Sequence, residues 1–466
     1  MNSDIVNNDN PLGSAPIGKL MVKFALPSIV AMLVGALYNI VDQLFIGQAV
    51  GTNGNAATNI AFPLSMLCTS LALLFGIGGA STFNLTMGKG EKEKAPYYIG
   101  NSIVLLAGSG IILSLITIIF LTPLLKFFGS PDEVLPYAKS YVGITAFGFP
   151  FLLMTIGGGH LIRADGSPKM TMICNLLGAV INTILDAVFV FGFHMGMEGA
   201  ALATVIGQFI SGTVAIIYFT RYKTVKLSWK HLKIKPGYTG RICMIGMASC
   251  FNQIAMMIVQ IVLNKSLKYY GSLSEYGESI PIACVGIITK VSQVYFSIVI
   301  GISQGSQPIE SFNYGAGNYK RVKKAFWYAV CAAGTVSIIA YILFQIFPGQ
   351  IISLFGKGSD AYYKFGIKYF RIYLFLTFVN FLQPLVATFF TSIGKSYKGI
   401  FLSLTRQIIF LLPMIVILPL LMGIDGICYA GPIADLLAAV VAVIMCRFEF
   451  LNMNKLSMEN MEQVKM

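Results

Sequence analysis

Two aspartates stand where a membrane chain tolerates few. Asp42 lies in the apolar segment LMVKFALPSIVAMLVGALYNIVDQLFIG, residues 20–47, and Asp186 lies in INTILDAVFVFG, inside a second apolar run over 170–192. A carboxylate at mid-membrane costs roughly 2.5–3.5 kcal/mol on insertion scales, and such residues usually face inward on ion or proton pathways. If these two spans run outward and the run over 199–220 returns inward, Asp42, Asp186 and Thr204 all come to a depth of roughly 8–9 Å below the outer surface, at 1.5 Å of rise per residue. Equal depth permits one site. Asn182 precedes Asp186 by one turn and Asn175 lies two turns further back, so amides and acid share a stripe of one helix. Tyr38 stands in the same i, i+4 relation to Asp42. Two carboxylates in one place repel, and with amide and hydroxyl oxygens around them they can take up and release a proton or a sodium ion. The plainer alternative is polar glue between helices, worth about 1 kcal/mol per group.

A second polar group sits in the other half of the chain. Lys290, in the run over 281–312, and Asp435, in the run over 427–447, share a depth, and Arg406, in the run over 398–422, lies deeper. An unpaired charge there is costly, so an ion pair between Lys290 and Asp435 is expected, with a part in substrate binding as the other reading. Asp435 occupies the repeat position of Gln208, described below. Pro27 removes one hydrogen bond from the first helix and predicts a kink.

These residues need elements long enough to hold them in a bilayer. The chain has 466 residues, 56% hydrophobic and only 11% charged, which excludes an ordinary soluble protein and a disordered one. Twelve apolar spans can be counted, over 20–47, 58–87, 97–123, 137–162, 170–192, 199–220, 241–268, 281–312, 325–348, 361–391, 398–422 and 427–447. Each is long enough to cross a hydrocarbon core of about 30 Å. The formal net charge of +14 is gathered in alternate loops, as the positive-inside rule requires of cytoplasmic ones, so a nucleic-acid partner is not expected and both termini read as cytoplasmic. The intervening loops are poor in Lys and Arg or acidic, as at Glu275 and Glu278. The eight cysteines show no CxxC spacing, and His160, His194 and His231 are scattered, so neither a disulfide framework nor a metal site is expected. The polar start of the chain lacks a basic n-region, and the first apolar run is expected to remain as a membrane helix.

The basic segment RYKTVKLSWKHLKIKPGYTGR divides the spans six and six. MGMEGAALATVIGQFIS from Met195 lines up with MGIDGICYAGPIADLLA from Met422, and GIGGASTFNLTMGKG from Gly76 with GISQGSQPIESFNYGAG from Gly301. The expected organisation is a tail over 1–19, an N-lobe over 20–220, a linker over 221–240, a C-lobe over 241–447 and a tail over 448–466. Six spans per half place both copies the same way up. The fold class is therefore an all-α integral membrane protein of twelve transmembrane helices in two six-helix lobes, suited to alternating access around a central site.

At this level the residues resemble a known family. PSIVAMLVGALYNIVDQLFIG, RADGSPKM, INTILDAVFVFG, GAALATVIGQ, QPIESFNYGAG and RQIIFLLP are similar to stretches of the multidrug and toxic compound extrusion (MATE) transporters, in their DinF-like and MepA-type bacterial branch. The resemblance implies a cation site in the N-lobe that falls here on Pro27, Asp42, Tyr141, Asn182, Asp186 and Thr204. A related branch relies on acids in spans 7 and 10, which the segments CFNQIAMMIVQIVLNKS and YFRIYLFLTFVNFLQPLVATFF lack. The expected function is a secondary antiporter in the cell membrane, exporting drug-like hydrophobic or cationic compounds against H+ or Na+, monomeric and with no cofactor beyond the coupling ion. The alternatives are a flippase for lipid-linked saccharides and an intramembrane aspartyl protease. The flippase reading wants several basic residues facing the cavity, and the protease reading a GxGD motif inside the membrane, so an enzyme is not expected. No Walker motif is present, so ATP is not the expected energy source.

Overall fold

The computed structural model describes residues 10–277, 279–354 and 359–465; residues 1–9, Glu278 and Met466, to which the sequence reading assigned tail or loop, lie outside them. The described residues contain eleven unbroken helices long and apolar enough to cross a membrane, and a bent pair that brings the number to twelve. In lipid every backbone N–H and C=O must be satisfied within its own segment, which is why apolar runs of this length fold as helices. In chain order they are α1 (Ile17–Val50), α2 (Thr52–Gly88), α3 (Ala95–Ile119), α4 (Leu135–Ala164), α5 (Pro168–Gly192), α6 (Gly196–Thr220), α7 (Pro236–Ser272), α8 (Ser279–Gly315), α9 (Tyr319–Ile346), α10 (Asp360–Tyr373 with Thr377–Ser392), α11 (Ser396–Met422) and α12 (Ile424–Lys465).

Several elements depart from the sequence reading. The expected C-terminal tail over 448–466 does not begin a separate segment, because α12 continues to Lys465 through residues that contain neither Pro nor Gly. The linker shortens to 221–235 and contains a helical turn, Trp229–Leu232, before α7 starts at Pro236. Pro27 lies inside α1, which runs without a break, and a break that the sequence reading did not expect falls in α10, whose two pieces meet at 41°. Pro27 itself is buried, in the stretch of α1 where Ala25 and Ile29 pack on Gly305 and Gly301 of α8.

The two lobes meet along α1 against α8 and α2 against α7. Their closest approaches lie toward the end of the molecule that carries the basic loops. A Cβ at Gly246 would stand 1.8 Å from the Leu74 carbonyl oxygen across the lobes, so only glycine allows this approach. Polar contacts reinforce it: Gln307 Nε2 donates to Ser81 Oγ at 2.9 Å, with His160 of the N-lobe within hydrogen-bonding reach of the same Gln307 side chain. Asn313 Nδ2 donates to the Leu12 carbonyl at 2.9 Å, fixing the segment before α1 to α8.

Candidate cation-binding site

Helices α1, α4, α5 and α6 bring the N-lobe residues together. Gly207 on α6 lies against the Asn182 backbone and the Gly178 carbonyl of α5, which lets those two helices approach closely enough for their side chains to meet. Asn182 Nδ2 then donates to Thr204 Oγ1 at 3.2 Å. Tyr38 from α1 and Tyr141 from α4 lie beside the same Thr204, and the carboxyls of Asp42 and Asp186 neighbour each other. Asp42, Asn182, Asp186 and Thr204 are buried, at 8%, 2%, 1% and 5% exposure.

Four oxygens of the cluster lack a donor. Asp42 Oδ1, Asn182 Oδ1 and both Asp186 oxygens have no hydrogen-bond partner among the described residues, and no cationic side chain pairs with either acid there. Buried polar atoms are seldom left in that condition. Four oxygens without donors, two of them on one carboxyl facing a second acid, form an arrangement that a proton or a small oxygen-loving cation completes. A wide, π-type turn over Ala187–Gly192 follows Asp186 directly; such turns are frequent at functional sites because they redirect side chains and loosen the backbone ladder.

Two further sequence candidates stay at the edge. Asn175 spends its amide on the Thr171 carbonyl of its own helix at 2.9 Å, two turns from the cluster. Gln208 lies one turn along α6 from Thr204, its Oε1 wedged against Gly148 of α4 without a donor.

In the C-lobe the expected pairing is corrected. Asp435 accepts from Arg406 Nε at 2.5 Å, with Tyr373 beside the same guanidinium, while Lys290 is half-buried and makes no ion pair among the described residues. Matched depth did not identify the partner because depth says nothing about which helical face a residue occupies. Arg406 is the second residue of another π-type turn, Thr405–Leu411.

Sequence reasoning also missed groups at the basic end. Asp165, in the loop between α4 and α5, accepts from Tyr218 Oη, Thr224 Oγ1 and the backbone N–H groups of Lys223 and Thr224, at 2.6–2.8 Å. In the C-lobe Glu449, fully buried, receives Lys395 Nζ at 2.6 Å and Lys398 Nζ at 2.8 Å. The repeat offset held the signal, since Glu449 falls at the repeat position of Tyr222, whose hydroxyl donates to the Leu161 carbonyl. Arg163, near the end of α4, is buried with its Nη2 2.8 Å from His160 Nδ1. Glu310 on α8 is buried with Oε2 unpartnered.

The fold and its buried acidic cluster define a two-lobed, multi-pass membrane protein built as a pseudo-repeat. A family model described as MatE matches residues 27–188 and 248–417, one segment in each lobe, and the chain belongs to that transporter family. It is 26% identical over 431 residues to a multidrug export protein MepA of Staphylococcus haemolyticus, covering 92% of each chain, and 25% identical over 435 residues to MepA of Staphylococcus aureus MSSA476, covering 92% of this chain and 94% of the relative. The fold matches a solved structure described as an outward-facing multidrug resistance MATE family transporter, with a TM-score of 0.87 at 20% identity, over 97% of this chain and 98% of the other.

Proposed function

We propose that the protein is a secondary active multidrug exporter of the cell membrane, with its basic loops and both termini in the cytoplasm, driven by inward movement of H+ or Na+ through the N-lobe cluster. The observation that carries this reading is the meeting of Asp42, Asp186, Asn182, Thr204, Tyr38 and Tyr141 around four donorless oxygens. Two facing carboxylates cannot both hold a bare charge in a dry site, so a cation that binds between them changes how α1, α5 and α6 pack. A monovalent cation that crosses the full potential contributes about 2.3 kcal/mol per 100 mV. The polarity of the loops, with lobes closed at the basic end, corresponds to the outward-facing member of an alternating pair. The printed names of the MepA relatives support drug-like molecules as cargo.

The test is ethidium efflux from proteoliposomes with an imposed pH or sodium gradient. Transport that follows one gradient and stops when it is collapsed supports the reading and names the ion. Transport indifferent to both gradients removes it.

A further inference from the structure

At the basic end a cavity of about 450 Å3 opens between the start of α1 and the start of α9, and therefore between the lobes. Its walls carry Lys19 from one lobe and Lys320, Arg321 and Lys324 from the other, together with Tyr328 and no acidic side chain. Arg321 is already committed, donating through Nε to Asn313 Oδ1 and through Nη2 to the Leu12 and Ala15 carbonyls at 2.7–3.1 Å. Lys19, Lys320 and Lys324 make neither an ion pair nor a hydrogen bond among the described residues, and all three are exposed. Three like charges around one cavity repel. The first N–H groups of α1 and α9, neither helix capped by a side chain, add to the positive potential.

The level of the cavity identifies the anion. Trp327 and Tyr328 are 56% and 45% exposed, and exposed aromatic rings of this kind sit at the headgroup level of a bilayer. One to two turns deeper on α1, Val22 and Leu26 are 65% and 59% exposed, an apolar face turned outward on the helix that forms one wall of the cavity. We propose that this cavity binds the phosphate headgroup of an anionic phospholipid, with its acyl chains along Val22 and Leu26. Because the cations come from both lobes, the bound lipid bridges them and favours the state closed at the basic end. Free phosphate shares the recognition chemistry but has no use for the apolar face.

Delipidated protein in neutral detergent is titrated with phosphatidylglycerol, phosphatidylcholine or inorganic phosphate, reading the thermal unfolding midpoint and the lipid retained in native mass spectrometry. Phosphatidylglycerol should be retained and raise the midpoint, while the other two should not. The triple variant Lys19→Gln, Lys320→Gln, Lys324→Gln removes only exposed charges, and should weaken phosphatidylglycerol binding by on the order of 100-fold, at roughly fivefold per lysine. A charge-matched control, Lys226→Gln, Lys230→Gln, Lys233→Gln in the linker, should bind as the wild type does. The proposal is overturned if the cavity triple binds as wild type, if the linker control loses as much, or if inorganic phosphate reproduces the stabilisation. A cavity triple whose midpoint without lipid matches wild type excludes misfolding as the cause.

Discussion

At the scale of residues, the N-lobe acids and the C-lobe ion pair solve opposite problems. Asp435 has a cation of its own at 2.5 Å and needs nothing from outside, whereas Asp42 and Asp186 face each other without one. Removing one partner of a buried pair strands the other charge and costs about 3–5 kcal/mol, while replacing both with apolar groups costs less. Arg406→Met and Asp435→Leu should therefore each lower the thermal midpoint in detergent, and the double variant should recover much of the loss, with Lys290→Met close to wild type. Additive losses would separate Arg406 from Asp435. For the N-lobe acids, Asp42→Asn and Asp186→Asn keep shape and remove charge, so both variants should reach the membrane and keep a near-native midpoint while gradient-driven ethidium efflux falls to the passive leak. Gln260 and Asn380, on α7 and α10, have no acid near them in their segments, and their alanine variants should change efflux far less. Wild-type efflux from either aspartate variant across pH and sodium concentration would place coupling elsewhere.

At the scale of elements, loops at the basic end are fastened differently in the two lobes. The N-lobe holds an acid in the α4–α5 loop and draws donors from the end of α6 and the start of the linker; the C-lobe puts the acid on α12 and draws one cation from the α10–α11 loop and one from the first turn of α11. Asp165→Asn leaves one of its two acceptor oxygens replaced by an amide that faces donors, and should cost about 1–3 kcal/mol. Hydrogen exchange at Lys223 and Thr224 should rise with it. The linker carries a pH response of its own. His231, whose Nδ1 accepts from the Ser228 N–H, is held below its ordinary value of 6.5 by burial and by Lys230 and Lys235. The neutral form is favoured in the folded linker, so its contribution is complete above about pH 6.5. It is lost as pH falls through the lower, folded value. Exchange protection at 228–233 should therefore decline on acidification below pH 6.5, and His231→Gln should flatten that profile. Fastenings of this kind were hard to read in the sequence, because a positive-inside count treats Arg163, Lys395 and Lys398 as solvated loop charges and ignores what a single buried acid does with them. The break in α10 had no warning either, since Leu374, Phe375 and Leu376 between its two pieces include neither Pro nor Gly.

At the scale of the whole molecule, what the sequence disclosed well was whatever depends on counting along a helix. The rise per residue fixed the common depth of Asp42, Asp186 and Thr204, and a constant offset between halves disclosed the two lobes. What it could not disclose was the face each side chain takes, which is why Asp435 found Arg406 instead of Lys290. The same counting makes the orientation in the bilayer a strong test. Basic loops, Leu12 and the close lobe contacts through Gly246 and Gln307 all lie toward one end, so fixing the side of any one of them fixes the side on which the lobes are closed. Losing the Gln307 to Ser81 hydrogen bond should shift the closed population by about 1 kcal/mol, roughly fivefold, so spin labels at Lys92 and Lys320 should report more of the longer distance in Gln307→Ala. If the basic end is cytoplasmic, a single cysteine at Lys230, with the native cysteines replaced, should resist an impermeant thiol reagent added to intact cells and react once they are opened. A cysteine at Leu273, 70% exposed at the opposite end, should react in intact cells. Labelling at Lys230 from outside would invert the molecule, and with it the direction in which a cation bound at Asp42 and Asp186 drives cargo.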